Sequence, residues 1–309
     1  MKAELSLTSQ TPLRAVLEQA AEALTAAGID SARLDAELLM AAALDSDRIK
    51  VFASAVELST GTLLRYQGLI ARRAAREPLA YIVGRKEFFS LELEVNPAVL
   101  IPRPETEDVV AAALEAAARR RDCSILDLGT GSGAVALAIA AGSSRTRIVA
   151  TDVSEQALEV ARRNAVRLGL DDRIEFRRSD CWAALAISGE GFRPEIGGFD
   201  LVVSNPPYIE NRELDRLQPE IARFEPRVAL AGGIDGLDFY RRICFDLRSY
   251  LKPGGELIVE VGAGQAESVA ALCRAGGCAE TAVINDLAGC RAEGRGGCFF
   301  EDFLVAPLD

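Results

Sequence analysis

The chain contains no histidine in 309 residues. Imidazole is the side chain whose charge ordinarily changes near neutral pH, and it is a common metal ligand. Its absence excludes a histidine general base, Ser-His and Cys-His nucleophile pairs, and imidazole-ligated metal centres. Cysteine supplies no framework either. The seven cysteines, at 123, 181, 244, 273, 278, 290 and 298, are odd in number and include no Cys-x-x-Cys pair. In a chain of this size that pattern reads as reduced, structural thiols rather than disulfides. No apolar run approaches the length of a membrane span, and Met1–Gln10 has no apolar signal core. The expected setting is cytoplasmic, with no membrane contact. A basic surplus is also missing, because the formal net charge is −11. A broad phosphate-binding face needs a basic stripe, so no direct nucleic-acid contact is expected. The clusters Arg72-Arg73 with Arg76, and Arg119-Arg120-Arg121, read as solvated helix faces.

What is present is a soluble-protein composition with enough apolar residues, 49%, for a substantial core. The length suggests roughly two domains. Residues 11–83 read as helical. Thr11-Pro12 starts the first helix, with proline at its first position, and Leu13, Val16, Leu17, Ala20 and Leu24 recur at helical spacing before Gly28. Asp30 or Ser31 caps a second helix, with Leu34, Leu38 and Ala41 or Ala42 on one face. Ser59-Thr60 opens a third, which Glu77-Pro78 ends. Phe88 to Val95 alternate, Asn96-Pro97 turns, and Val99-Leu100-Ile101 follows, which reads as a β-hairpin. From residue 105 strands and helices alternate. Strands are expected at Ser124–Leu128, Arg147–Thr151, Ile174–Arg177, Leu201–Ser204, Glu256–Val261, Thr281–Ile284 and Phe299–Val305. Lys252-Pro253-Gly254-Gly255 is read as a turn, and Ser188–Gly198 as a surface loop. Such alternation predicts an α/β fold with a mostly parallel sheet covered on both faces. The expected organisation is a helical bundle over 1–84, a hairpin linker over 85–104 and an α/β domain over 105–309.

Two motifs carry chemistry. Ile125-Leu126-Asp127-Leu128 leads into Gly129-Thr130-Gly131-Ser132-Gly133, a buried strand ending in a glycine-rich turn. Glycines there let the backbone approach a ligand and adopt positive φ. Gly129, Gly131 and Ala134 also satisfy the dinucleotide fingerprint, so a nicotinamide enzyme and a plain structural turn both stay open. The surrounding acids favour S-adenosylmethionine. Asp127 is placed to attract its amino group or sulfonium. Asp152, at the end of the second strand, is placed to take both ribose hydroxyls. Asp180 could accept from the adenine amino group, and Trp182 could line the adenine pocket or belong to the core.

The second motif is Asn205-Pro206-Pro207-Tyr208, after the apolar run Phe199–Ser204. Two successive prolines hold the backbone extended and remove two N–H donors. Carbonyl acceptors then sit beside the Asn205 amide and the Tyr208 ring. Such a cluster suits a planar –NH2 group gripped by its hydrogens.

With these residues in view, the chain resembles the class I S-adenosylmethionine-dependent methyltransferases, and more closely the protein-(glutamine-N5) methyltransferases of peptide chain release factors. Glu77–Gly84, Leu100–Glu107, Asp127–Gly133, Asn205–Ile209, and Glu225-Pro226-Arg227 through Asp235-Gly236-Leu237 carry the likeness in order. The resemblance implies a Rossmann-like sheet with an N-terminal helical bundle and a linking β-hairpin. It implies that Gly129–Gly133, Asp152, Trp182 and Asn205 contact S-adenosyl-L-methionine, and that Asn205, Pro206, Pro207 and Tyr208 receive the glutamine amide. The implied substrates are class 1 release factors, at the glutamine of their Gly-Gly-Gln motif. Asp286-Leu287-Ala288-Gly289 is similar to the family's closing motif, while Cys290–Gly294 departs from it. The alternatives are an N6-adenine or other amino-group methyltransferase acting on nucleic acid, which shares the elbow but should show a basic track, and a non-catalytic nucleotide-binding module.

Overall fold

A computed structural model describes residues 11–53, 58–183, 185, 198–285 and 300–308. Two units divide the chain: Met1–Gly84 with Pro219–Phe224, and Arg85–Gln218 with Glu225–Asp309.

The first unit holds helices α1 (Leu13–Ala26), α2 (Ala32–Ala43), α3 (Arg48–Ala53), α4 (Thr60–Ala74) and α5 (Leu79–Val83), together with the short helix Pro219–Phe224. Val16, Leu17, Ala20 and Leu24 pack with Leu39, Met40, Leu63, Tyr66 and Ile70 in its core. Ser59 caps α4 by accepting from the Thr62 N–H at 3.0 Å. Pro12 is the cap of α1 rather than its first helical residue. The buried face of α2 is also rotated from the expected one. Leu34 is exposed, while Asp35, Ala36, Leu39 and Met40 are buried. Ala32, Ala36, Leu39, Met40 and Ala43 form the apolar stripe, and a charge pair accommodates Asp35 beside it. Asp35 Oδ2 accepts from Arg73 Nε at 2.7 Å, with both side chains nearly inaccessible. Arg73 and Arg76 also reach Glu220, at 2.9 and 2.7 Å, and Arg72 pairs with Glu77 at 2.5 Å. Arg73 and Arg76 therefore belong to an inward-facing ion-pair network, while Arg72 stays on the exposed face as expected. Spacing alone could not distinguish them, because the partners are remote in sequence.

The second unit begins with strands β1 (Arg85–Phe88) and β2 (Leu91–Glu94), paired antiparallel. Their turn is Phe89-Ser90, both at positive φ of 48° and 61°, and not Asn96-Pro97. Positive φ at both central residues is what a two-residue hairpin of native twist requires. The apolar Phe89 disguises the turn because it packs against the core. Val99–Ile101 forms no strand; the Ile101 N–H is donated to Glu225 Oε2 at 3.2 Å.

Then follow α6 (Thr106–Ala118), β3 (Cys123–Leu128), α7 (Ala134–Gly142), β4 (Thr146–Asp152), α8 (Glu155–Leu168), β5 (Ile174–Arg178), β6 (Phe199–Ser204), α9 (the Pro219–Phe224 helix already placed in the first unit), α10 (Asp238–Tyr250), β7 (Leu251–Gly262), α11 (Ala266–Ala275), β8 (Ala282–Asn285) and β9 (Phe300–Pro307). The sheet order is β5-β4-β3-β6-β7-β9-β8. Neighbours from β5 to β7 are parallel, and β9 runs antiparallel to both β7 and β8. Lys252–Gly255 lies inside β7 as an irregularity, where the partner register jumps between Phe199 and Leu201. Helix α11 lacked a strong sequence signal, and its buried stripe is only Val269, Ala270 and Cys273.

Helix α7 is apolar all round and is buried from Ala134 to Ala140. It fills the core together with Val109, Val110 and Ala113 of α6 and Ile125 and Leu201 of the sheet. The chain leaves β3 toward β4 on one side and later returns to β6 on the other. That reversal opens a crevice at the carboxyl ends of β3 and β6, where open α/β sheets place their ligands. Cys123, Cys181, Cys244, Cys273 and Cys278 are buried. No helix among the described residues is long and apolar enough to cross a membrane. Most of the Ser188–Gly198 loop, the Asp286–Gly294 segment, Cys290 and Cys298 lie outside the described residues.

Candidate active site

The crevice is lined by Gly129 and Gly131 after β3, Asp152 after β4, Asp180 after β5, and Asn205 and Pro207 after β6. Ala98–Leu100, Pro226, Val228 and Phe239 close its other side. The fold thus brings both sequence motifs to one opening.

The glycine-rich turn is built as its composition requires. Gly129, Gly131 and Gly133 have φ of 77°, 56° and 83°. Gly133 begins α7, and a Cβ on it would sit 3.0 Å from Leu137 Cδ1 and 3.2 Å from Ala161 Cβ. Glycine there permits close packing of α7 against α8. Asn164, fully buried on α8, donates from Nδ2 to the Ser132 carbonyl at 3.0 Å and to the Glu94 carbonyl at 3.0 Å. That tie fixes the loop to β2.

Asp152 joins the loop to the crevice. Its Oδ2 accepts from the Gly131 N–H and its Oδ1 from the Ser154 N–H, both at 2.9 Å. Each oxygen keeps a further lone pair, which fits two neighbouring hydroxyls. Burial pushes its carboxyl above the usual range, against the backbone N–H bonds that lower it.

Four of the expected contact residues sit elsewhere. Asp127 is 1% exposed, with its Oδ2 accepting from the Thr130 hydroxyl at 2.7 Å. Burial raises its carboxyl to about 7. It braces the loop from beneath and does not face the crevice. Thr130 and Ser132 are buried with it. Trp182 stacks on Tyr250, with centroids 4.5 Å apart and planes 7° from parallel, and donates from Nε1 to the Arg242 carbonyl at 2.9 Å. It lines a neighbouring depression that shares Asp180, Cys181 and Arg242 with the crevice. Asp180 lines the crevice but already pairs with Arg242 Nη2 at 2.6 Å.

The elbow after β6 is supported from two sides. On the backbone side, the Ile209 N–H is donated to the Leu230 carbonyl and the Gly232 N–H to the Ile209 carbonyl, at 3.0 and 2.8 Å. A Cβ on Gly232 would lie 2.7 Å from Tyr208 Cα, so only glycine permits this approach. On the side-chain side, Asn205 Nδ2 lies 3.0 Å from Thr106 Oγ1, whose hydroxyl is 2.7 Å from Glu260 Oε2. The Tyr208 hydroxyl donates to Glu260 Oε1 at 3.2 Å, and the Tyr240 hydroxyl to the Glu260 carbonyl at 2.8 Å. Tyr208 therefore points its tip inward and is 8% exposed. Pro206 is buried and Asn205 half-buried. Burial lifts Glu260 to about 7. Arg103 forms a structural link, with its Nη2 2.6 Å from Glu225 Oε1.

Thr106, Glu260, Glu225 and Asn164 are the residues that sequence reading missed. Only Glu260 stands in an apolar run; Asn164 is on the polar helix α8, Thr106 opens α6 beside Glu107 and Asp108, and Glu225 lies between Phe224 and Pro226. The available signal was a glutamate within the otherwise apolar Leu257–Val261 of β7, where burial demands a partner.

The parallel sheet, the switch-point crevice and the loop after β3 define a class I methyltransferase. Solved structures share this architecture: the human Mettl16 catalytic domain in complex with a MAT2A 3′UTR hairpin aligns with a TM-score of 0.56 over 78% of this chain and 80% of that one, at 16% identity. Family profiles described as the PrmC N-terminal domain and the methyltransferase small domain match residues 15–84 and 107–222. Among curated proteins, the release factor glutamine methyltransferase of Geobacter sulfurreducens is 44% identical over 260 residues, 83% of this chain and 86% of its own. That of Moorella thermoacetica is 42% identical over 279 residues, 90% and 95% of the two chains. The chain belongs to the release factor glutamine methyltransferase family.

Proposed function

We propose that this protein methylates the side-chain amide nitrogen (N5) of the glutamine in the Gly-Gly-Gln motif of class 1 peptide chain release factors, using S-adenosyl-L-methionine. The observation that carries the reading is that Gly129, Gly131 and Asp152 of the loop side and Asn205 and Pro207 of the elbow open into one crevice. A donor site and an acceptor site for planar –NH2 groups thereby share one space.

The residues present fit the methyl donor. Asp152 offers two acceptor oxygens on the crevice, and the positive-φ glycines allow close backbone approach. Bound there, S-adenosyl-L-methionine supplies an electrophilic sulfonium methyl. Gly129, Gly131 and Asp152 hold it, with Asp180 and Phe239 on the crevice wall beyond.

An amide nitrogen is a poor nucleophile because its lone pair is delocalised, with a rotation barrier of ~18–20 kcal/mol. The chain has no histidine to remove its proton. Placement must do the work. Asn205 Oδ1 and the Pro206 carbonyl each accept one N–H of the glutamine amide and set its plane. Those bonds strengthen as the nitrogen gains positive charge, which favours the transition state over the ground state. Fixed orientation of two bound reactants supplies up to about 7–11 kcal/mol. Tyr208, anchored on Glu260, makes a rigid wall of the elbow, and the surplus proton leaves to water.

The bundle over 1–84 recognises the protein substrate, the setting is cytoplasmic, and neither nucleic acid nor membrane is a partner. The test is to incubate the protein with S-adenosyl-L-methionine and purified release factor, then DNA or RNA in parallel. Mass spectrometry should find one added CH2 on the Gly-Gly-Gln glutamine. Methylation of nucleic acid, with the glutamine unmodified, would overturn the reading.

A further inference from the structure

We infer that Thr106 and Glu260 are positioning residues that fix which end of the Asn205 side-chain amide faces the crevice. The inference rests on the reading that Asn205 accepts from the substrate. The two ends of that amide are nearly equal in shape and opposite in hydrogen-bonding sense. With Oδ1 toward the substrate, Asn205 grips an –NH2 group. With Nδ2 toward it, a donor meets a donor and the site repels its guest.

Donor counting fixes the orientation for the ionised form of Glu260. The Glu260 carboxylate, when ionised, is an acceptor only. It takes the Tyr208 hydroxyl on Oε1 and the Thr106 hydroxyl on Oε2. Thr106 has a single proton, and that proton goes to Glu260. Toward Asn205 the Thr106 oxygen can then only accept. The neighbour 3.0 Å away must therefore be the Nδ2 end, which leaves Oδ1 for the crevice that Asn205 lines. The relay joins three places in the fold: the start of α6, the residue that follows β6 and the carboxyl-terminal end of β7. Glu260 and Thr106 are 3% and 4% exposed, so water does not compete for these bonds. A carboxylate inside an apolar strand is costly. Here its acceptor-only character performs the selection, which a neutral amide could not impose.

Three variants test this. Thr106→Val keeps the shape of threonine and removes the hydroxyl. Thr106→Ser keeps the hydroxyl and removes the methyl. Glu260→Gln places a donor in the relay and permits the reversed orientation. Thr106→Val and Glu260→Gln should lower kcat on release factor about tenfold or more, with the calorimetric Kd for S-adenosyl-L-methionine unchanged. Thr106→Ser should stay within about threefold of wild type, because the relay is intact. A packing role would give the reverse order, with valine tolerated and serine damaging, and that result overturns the inference. So does full turnover by either Thr106→Val or Glu260→Gln. Should Thr106→Val fail to bind cofactor through misfolding, Glu260→Gln decides alone. Asn205→Ala separates the two claims. If it is inactive while Thr106→Val is normal, only the relay fails. If Asn205→Ala itself turns over normally, the elbow reading fails.

Discussion

Arg103 Nη2 lies 2.6 Å from Glu225 Oε1, and the other Glu225 oxygen accepts from the Ile101 N–H at 3.2 Å. One carboxylate therefore clamps the segment after the hairpin to the segment that begins Pro226. Both segments line the crevice, through Ala98–Leu100 and through Pro226, Val228 and Ala229. The clamp holds the two lips at a fixed separation.

Removing the carboxylate should loosen the lips and cost stability. Glu225→Ala leaves a mostly buried guanidinium and a buried N–H without their acceptor. The loss should be roughly 2–4 kcal/mol, below the full figure for a buried pair because Arg103 retains some exposure. Urea denaturation measures it, and KM for release factor should rise at the same time. An unchanged midpoint and KM would show that the lips are held by other contacts.

Asp152→Asn should weaken cofactor binding. The substitution removes the charge from the ribose-side acceptors and turns one end into a donor facing the Gly131 or Ser154 N–H. Charge-assisted bonds are worth about 1.5–3 kcal/mol, so calorimetry should show Kd rising about 10- to 150-fold. An unaltered Kd would place the methyl donor elsewhere.

Asn205→Ala should reduce turnover by about 10²–10³, by analogy with the loss of one preorganised polar contact. Cofactor affinity should fall much less, since the loop and Asp152 stay in place. Separating kcat from the Kd for cofactor distinguishes the loss of orientation from the loss of binding.

Stability should carry a pH signature of Glu260. Burial raises its carboxyl from the usual 4.5 to about 7 in the folded state. The groups facing it are the Thr106 and Tyr208 hydroxyls, the Tyr240 hydroxyl on its carbonyl, Arg103, which lowers it, and Glu105, which raises it. A raised folded pKa means a contribution that is fully present below the unfolded value and lost as pH rises through the folded one. Asp127 has the same sign but is common to both proteins and cancels in a difference. Wild-type Tm minus that of Glu260→Gln should therefore fall between about pH 5 and pH 8. A flat difference would mean that the carboxyl titrates normally.

How much of this was legible in the residues follows from the range of the forces involved. Strand and helix periods from 105 onward are local, and they gave the parallel sheet and the position of both motifs. Local patterns failed where a remote partner decided the outcome. The spacing puts Leu34 inside, but Asp35 is buried in its place, paired with Arg73 far along the chain. Phe89 was read as strand, but it takes a turn position because the core accepts its ring from that angle. Asp127 was read as a ligand contact, but burial and Thr130 turn it beneath the loop.

The sequence by itself determined the class of chemistry. Lacking histidine and carrying Asn205-Pro206-Pro207, it pointed to a mechanism based on acceptors and placement. Glycine and proline constrain φ wherever they stand, so those motifs are readable without coordinates. Only the tertiary structure decided how the acceptors are held. Thr106, Asn205 and Glu260 stand at three separate places in the fold, and no periodicity records that they meet. Their meeting depends on strand order and on how α6 packs against the sheet. Buried hydrogen bonds exact complete donor and acceptor accounting, and that accounting exists only once the fold has closed.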